Sequence, residues 1–215
     1  MRVNLGPEPL NPRAMSLLSP KLCLPDWAGR FARARDGAVA LEFGLIALPF
    51  LAILGAIIQT AFTMWASQSL DRTLQNTVRQ LFTGQFQTDN SDTKDPAILL
   101  ARLKANMCGS GATKVTTTFN CADVRLDVSQ GASFSSSAPP GAINNATGDW
   151  NSGFGKNYVC AAPGSIVVVT AAVKFPVFFK LLNLGVVSFA DGSHLLQSTA
   201  VFRTEPYQAP AGKGC

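Results

Sequence analysis

The stretch Arg30–Trp65, RFARARDGAVALEFGLIALPFLAILGAIIQTAFTMW, decides how the chain is organised. Arg30, Arg33, Arg35 and Asp36 lead to Gly37, and beyond it the sequence turns almost wholly apolar. From Phe43 to Trp65 the polar side chains are Gln59, Thr60 and Thr63, none of them ionisable. As a helix that segment would run roughly 34 Å at ~1.5 Å per residue, enough for a bilayer core of ~30 Å. Glu42, five residues past Gly37, is the one acid at its entrance. Residues 1–37 therefore read as a tail, 38–66 as a transmembrane helix, and 67–215 as a domain carried on the far side.

The distribution of charge argues for topology over nucleic acid. The 215 residues carry a net charge of +5 and are 47% hydrophobic but only 14% charged. Arg2, Arg13, Lys21, Arg30, Arg33 and Arg35 fall in residues 1–37, against Glu8, Asp26 and Asp36. The other basic residues are scattered among acids and never cluster with aromatics, so no nucleic-acid partner is expected. Arginines just before an apolar helix favour a cytoplasmic N-terminus and an exported C-terminal part. The apolar run exceeds the ~7–15 residues of a signal-peptide core and ends in no small-x-small site, so a retained single-span anchor is expected. Residues 1–29 hold Pro7, Pro9, Pro12, Pro20 and Pro25 without an apolar period, which argues against a packed element there; Met15 is an alternative start.

Cys23 lies in the tail, whereas Cys108, Cys121, Cys160 and Cys215 all fall in the exported part. Four cysteines in an oxidising compartment suggest two disulfides with three possible connectivities. Cys108–Cys121 is favoured because it closes a short loop, leaving Cys160–Cys215 to tie down the end. Zinc is the rival reading, but there is no C-x-x-C and the single histidine, His194, is distant in sequence.

Past the anchor the helical pattern continues. Leu70, Leu74, Val78, Leu81 and Phe82 form one apolar face, opposite Gln68, Asp71, Arg72, Gln75, Asn76 and Arg79, with Gly84 as the stop. A continuous helix over 38–83 would be roughly 69 Å long, with Pro49 removing one of its backbone bonds. Residues 85–95 read as polar loop. Pro96 opens a second helix with Ile98, Leu99, Leu100, Leu103 and Met107 as apolar positions, ended by Gly109–Gly111. Strands are expected over 114–119 and 122–128, then a Gly/Ser/Pro/Asn-rich insert at 129–157, mobile or loosely packed. Ser165–Val173 reads as a central strand, 174–184 as an edge or short apolar segment broken by Pro176, and 185–190 as a short strand. Asp191-Gly192 is a turn and His194–Arg203 a last strand. Phe175, Phe178 and Phe179 read as core or as a lateral packing surface. The fold class is α+β: a transmembrane helix running on into an amphipathic one, then a mostly antiparallel β domain.

A search for chemistry finds no catalytic set. Asp191, His194 and a serine could be drawn as a triad, but no nucleophile motif accompanies them, and His194 reads as a lone surface histidine. Asp89, Asp92 and Asp95 lack the glycine and closing glutamate of a calcium loop. The Gly109–Gly111 turn lacks the lysine of a phosphate loop. Asn145-Ala-Thr147 matches a glycosylation sequon, which has meaning only in a eukaryotic secretory setting. No cofactor and no enzyme activity are expected.

One signal remains, in the opening stretch. R-x-R-D-G-A followed by an apolar helix with glutamate fifth resembles the processing site of type IV pilins and pseudopilins. The combination of this motif with L-P in the span, the LDRTLQNTVRQLFTGQ helix, Pro163-Gly164 before a Val-rich strand, and FRTEPY at 202–207 resembles the TadE/TadG-like family, which serves tight-adherence (Flp) pilus assembly in bacteria. The length matches the shorter TadE-like type. The resemblance implies a minor pilin or pseudopilin, with 1–37 a cytoplasmic tail or prepilin-like leader. It implies a cut between Gly37 and Ala38 by a prepilin peptidase, and an assembly contact at Glu42. A carboxylate near a membrane edge calls for a partner, which the free α-amine of a neighbouring subunit can supply. The implied partners are the membrane, other pilins or pseudopilins and tight-adherence secretion components. The implied location is the bacterial inner membrane, single-pass, with the domain periplasmic. The long tail before Gly37 departs from the family pattern and bears on the processing step. The alternatives are a membrane-tethered periplasmic enzyme or binding protein, and a pseudopilin of a type II-like secretion system.

Overall fold

The computed structural model describes residues 37–109, 117–179 and 189–208. The chain divides into two compact units, Met1–Pro49 and Phe50–Cys215, the division falling within its first helix. In the first unit the described residues are Gly37 and the start of helix α1, Ala38–Phe82. Up to Pro49 nearly every α1 side chain is exposed, including Val39, Leu41, Phe43, Leu45, Ile46 and Leu48.

In the second unit α1 changes character along its length. Leu51, Ile53, Ile57, Met64 and Trp65 are exposed, whereas Ala66, Leu70, Leu74 and Leu81 are completely buried. The change follows the sequence: an all-round apolar helix gives way to one with apolar residues every three or four positions. Thr73 and Thr77 share the buried face, and their hydroxyls donate back to the Ser69 and Thr73 carbonyls, leaving no polar group stranded. Gly84 ends the helix in the left-handed region at φ 76°, as its sequence position suggests.

Two shorter helices follow. Residues 85–89, expected as loop, form α2 (Gln85–Asp89), with Phe86 and Gln87 buried. Polar composition concealed it; Gln87 is buried because its amide donates to the Leu81 and Ala161 carbonyls. Helix α3 (Pro96–Cys108) has Asp95 as its N-cap, accepting from Ala97 N at 2.9 Å, and proline in the first turn. Leu99, Leu100, Leu103 and Met107 are buried, whereas Ile98 is exposed.

The sheet has three antiparallel strands in the order β1 (Arg125–Gly131), β4 (Ile166–Phe175), β5 (His194–Arg203). Residues 121–123, assigned partly to a strand from sequence, form a 3-10 turn capped by Asn120, so β1 starts and ends three residues later than expected. Thr117–Phe119 is irregular, and the rest of that expected strand lies outside the described residues. Phe189 and Ala190 are not strand; the rest of 185–190 also lies outside.

The odd-numbered residues of β4, from Val167 to Phe175, pack with Leu126, Val128, Leu196 and the buried faces of α1 and α3. The opposite face is covered by the Gly/Ser-rich insert. Within it β2 (Ile143–Asn144) and β3 (Asp149–Trp150) pair as a hairpin, and Ala142 and Phe154 bury against Ala172. Trp150 stacks on Phe154 with ring centroids 5.9 Å apart. Within the insert, Phe134, Ser135, Ser136, Ala138 and Pro139 are exposed, whereas Ala142, Trp150 and Phe154 after them pack on the sheet. That is why SIVVVTAAV is apolar without alternation: β4 is buried on both faces.

Candidate functional site: the apolar helix and its seat

Two regions concentrate the residues singled out in the sequence. One is the start of α1. Gly37 and Ala38 are exposed at the helix start, and a side chain placed on Gly37 would meet nothing within 4 Å. Glu42 is also exposed and stands four residues after Ala38, on the same face and one turn further along. The arginines at 30, 33 and 35 lie outside the described residues. Chemically this region offers an accessible peptide bond and one carboxylate at the end of an apolar rod.

The other region is where α1 is seated on the domain, and it explains the motifs at the two ends of the β domain. Pro163-Gly164 and FRTEPY converge on the C-terminal end of α1. Arg203 Nε donates to the Gly164 carbonyl at 2.8 Å, and Thr204 N to the Ser165 carbonyl at 3.0 Å. Glu205 N donates to the Phe82 carbonyl at 2.9 Å, satisfying one of the open carbonyls at the helix end. The Tyr207 ring lies directly over Gly84, and its hydroxyl donates to the Ala161 carbonyl at 2.7 Å. Phe82 and Phe202 meet edge-on with centroids 6.1 Å apart. Glu205 and Tyr207 therefore hold the helix end. Higher up, the Ser198 hydroxyl on β5 donates to the Asp71 carboxylate on α1.

Cys108 and Cys121 are joined by a disulfide with Cα atoms 6.1 Å apart, tying the end of α3 to the turn before β1. Cys160 is disulfide-bonded as well, and Cys215 lies outside the described residues, as does Cys23. Of the aspartates weighed for calcium, Asp92 pairs with Arg102 through two bonds of 2.6 and 2.8 Å, and Asp95 caps α3. The Arg102 hydrogen bond holds the Asp92 carboxyl below the usual range. Among the described residues no group of three or more His, Cys, Asp or Glu could hold a metal.

His194 is buried at the start of β5, opposite Phe175, which corrects the expectation of a surface histidine. The strand's first position points into the helix-covered face, a consequence of register that the adjacent turn hid. Asp191 in that turn accepts from Ser193 N at 2.8 Å and pairs with Lys174 at 3.2 Å. Lys174 also reaches Asp149 at 3.2 Å and lies over the Phe189 ring, pinning the hairpin to the C-terminal end of β4. Sequence reasoning missed a contact in the apolar part of α1. Phe178 N donates to Gln59 Oε1 at 3.1 Å, and Phe179 packs on Gly55. A lone amide and a glycine within an apolar helix were the available signal.

Among the described residues, α1 is the one helix long and apolar enough to cross a membrane, and its most apolar window is only 6% buried. That exposure separates it from the core helix of a soluble protein. The class this defines is an α+β domain carried on a single membrane-type helix that also supplies part of its core. Residues 37–79, from Gly37 through most of α1, match the family model described as TadE-like protein. No match was found among curated proteins or solved structures.

Proposed function

We propose that the protein acts structurally, as a TadE-like minor pilin or pseudopilin in the biogenesis of a tight-adherence (Flp-type) pilus. The observation that carries this is the match over residues 37–79, which begins at Gly37 and includes Glu42. In this reading residues 1–37 are a cytoplasmic leader, 38–66 cross the bacterial inner membrane, and 67–215 fold in the periplasm. The oxidising compartment suits the disulfides, and Cys215 is assigned as the partner of Cys160. A prepilin peptidase cuts between Gly37 and Ala38, at the exposed start of α1. The Glu42 carboxylate then meets the new α-amine of a neighbouring pilin or pseudopilin, fixing the stagger between helices. A charge costs on the order of 2.5–3.5 kcal/mol at the bilayer centre and less toward its edge, so a cationic partner for Glu42 favours one register. The neighbours are supplied by other tight-adherence secretion components.

Two measurements test the reading. Mass spectrometry of the protein from its native membrane should find Ala38 as the N-terminus. Glu42→Gln should abolish or strongly reduce piliation while the protein still inserts in the membrane. An uncut chain refutes the processing step, and normal piliation with Glu42→Gln removes the assembly contact.

A further inference from the structure

The segment Pro176–Phe179, which leaves the end of β4, turns back onto the apolar part of α1. Phe179 packs on Gly55, where an added Cβ would stand 3.3 Å from the ring. Phe178 N is hydrogen-bonded by the side chain of Gln59 at 3.1 Å. Both rings nonetheless present much of their surface outward, Phe178 at 69% and Phe179 at 47% exposure. A groove of about 740 Å³ lies alongside, walled by Ile58, Phe62, Phe175 and Phe178 and edged by Asn120 and Lys174.

We propose that this segment is a second membrane contact: Phe178 and Phe179 are immersed in the leaflet on the domain's side, and lipid acyl chains fill the groove beside α1. The inference rests on the reading that α1 crosses a membrane, and depth carries it. On the domain's side the polar boundary of the span falls between Gln59, the first polar side chain after Glu42, and Trp65, an aromatic of the interfacial type. Gly55 is then four to ten residues inside it, or roughly 6–15 Å deep at ~1.5 Å per residue. Phe179, packed on Gly55, lies below the hydrocarbon boundary in every register of that range.

The polar groups agree with this placement. Backbone in hydrocarbon needs every N–H satisfied by protein. Pro176 has no N–H, and the Phe178 N–H is met by Gln59, the one amide in the apolar stretch. That amide is itself buried, at 8% exposure, so it turns toward the segment and away from lipid. The remaining surface continues the exposed apolar surface of α1 at Leu54, Ile57 and Ile58, which makes lipid the matching occupant.

The test is photo-crosslinking of the full chain in its native membrane, with p-benzoylphenylalanine placed singly at positions 178, 179, 53 or 134. Ile53 is the control on the span and Phe134, an exposed residue of the insert, the control in water. Positions 178 and 179 are expected to give phospholipid adducts at least half as abundant as position 53, with position 134 giving none. Lipid adducts at 53 but none at 178 and 179 overturn the proposal, as do adducts at 178 and 179 with protein alone. Absence of lipid adducts at 53 as well would instead overturn the membrane reading of α1. Gln59→Leu should lower the lipid adduct at 178 at least two-fold by releasing the segment, with the adduct at 53 unchanged.

Discussion

Gly84 and Tyr207 form a contact that only glycine permits. The backbone at Gly84 has φ 76°, and a Cβ there would collide with the Tyr207 ring. A non-glycine residue in the left-handed region costs on the order of 1–3 kcal/mol, and the collision adds to that. Gly84→Ala should therefore lower unfolding stability of the full chain by roughly 2–4 kcal/mol, read by urea titration. Tyr207→Ala should also destabilise, but the double variant should lose less than the sum of the two, because the collision is gone. Additive losses would mean that the ring does not sit over the glycine. Asp191 offers a second residue-scale test, in pH. Its carboxyl is held at about 2, first by the Ser193 hydroxyl, then by the Ser193 N–H and by Lys174. A folded-state pKa below the ordinary ~3.9 stabilises the turn above that pH, and the contribution is lost as pH falls from there through about 2. Ser193→Ala should move the Asp191 midpoint upward, measured by carboxyl ¹³C titration; an unmoved midpoint would assign the depression to another group.

At the scale of elements, the disulfide joins α3 to the turn before β1 across a separation of 13 residues. Closing a loop of that size restricts the unfolded chain by about 3 kcal/mol. Replacing Cys108 and Cys121 together by serine should lower stability by about that amount, and reducing the wild-type protein, which also opens the Cys160 bridge, should cost at least as much. The elements legible in the sequence were those with a strong local signal. The apolar run and its three-four spacing located α1, Pro96 located the start of α3, β-branched residues located β4, and the Asp191-Gly192 turn located the start of β5. What escaped was set by distant partners. α2 is polar by composition and becomes an element because Gln87 finds two carbonyls from elsewhere in the chain. The insert looked loose because its apolar residues, Ala142, Trp150 and Phe154, are widely spaced and acquire meaning only against Ala172. The candidate site divides in the same way. Gly37 and Glu42 stand out by local pattern, whereas the work of Glu205 and Tyr207 depends on Phe82 and Gly84, more than a hundred residues away in sequence.

For the whole molecule, the proposed topology predicts the oxidation state of the cysteines, and that prediction tests the orientation. Three arginines at 30, 33 and 35 precede the span, while Asp71, Arg72 and Arg79 on the other side are nearly balanced. Basic residues within ~15–20 positions of a span are retained on the cytoplasmic side, so this asymmetry should send the domain outward. Cys108 and Cys121 then record the outcome, because their bridge forms in an oxidising compartment and stays open in a reducing one. Rapid thiol trapping of wild-type protein in cells should leave both cysteines unlabelled. Replacing Arg30, Arg33 and Arg35 by glutamine removes the retained charge without touching the domain. A fraction of the chains should then insert inverted, and in that fraction both cysteines should take the label. Protease added from outside should spare the same fraction, giving an independent count. If the protected fraction rises while the cysteines remain wholly unlabelled, the bridge does not report compartment. If wild-type chains are already labelled and protected, the domain faces the cytoplasm and the proposed orientation is reversed.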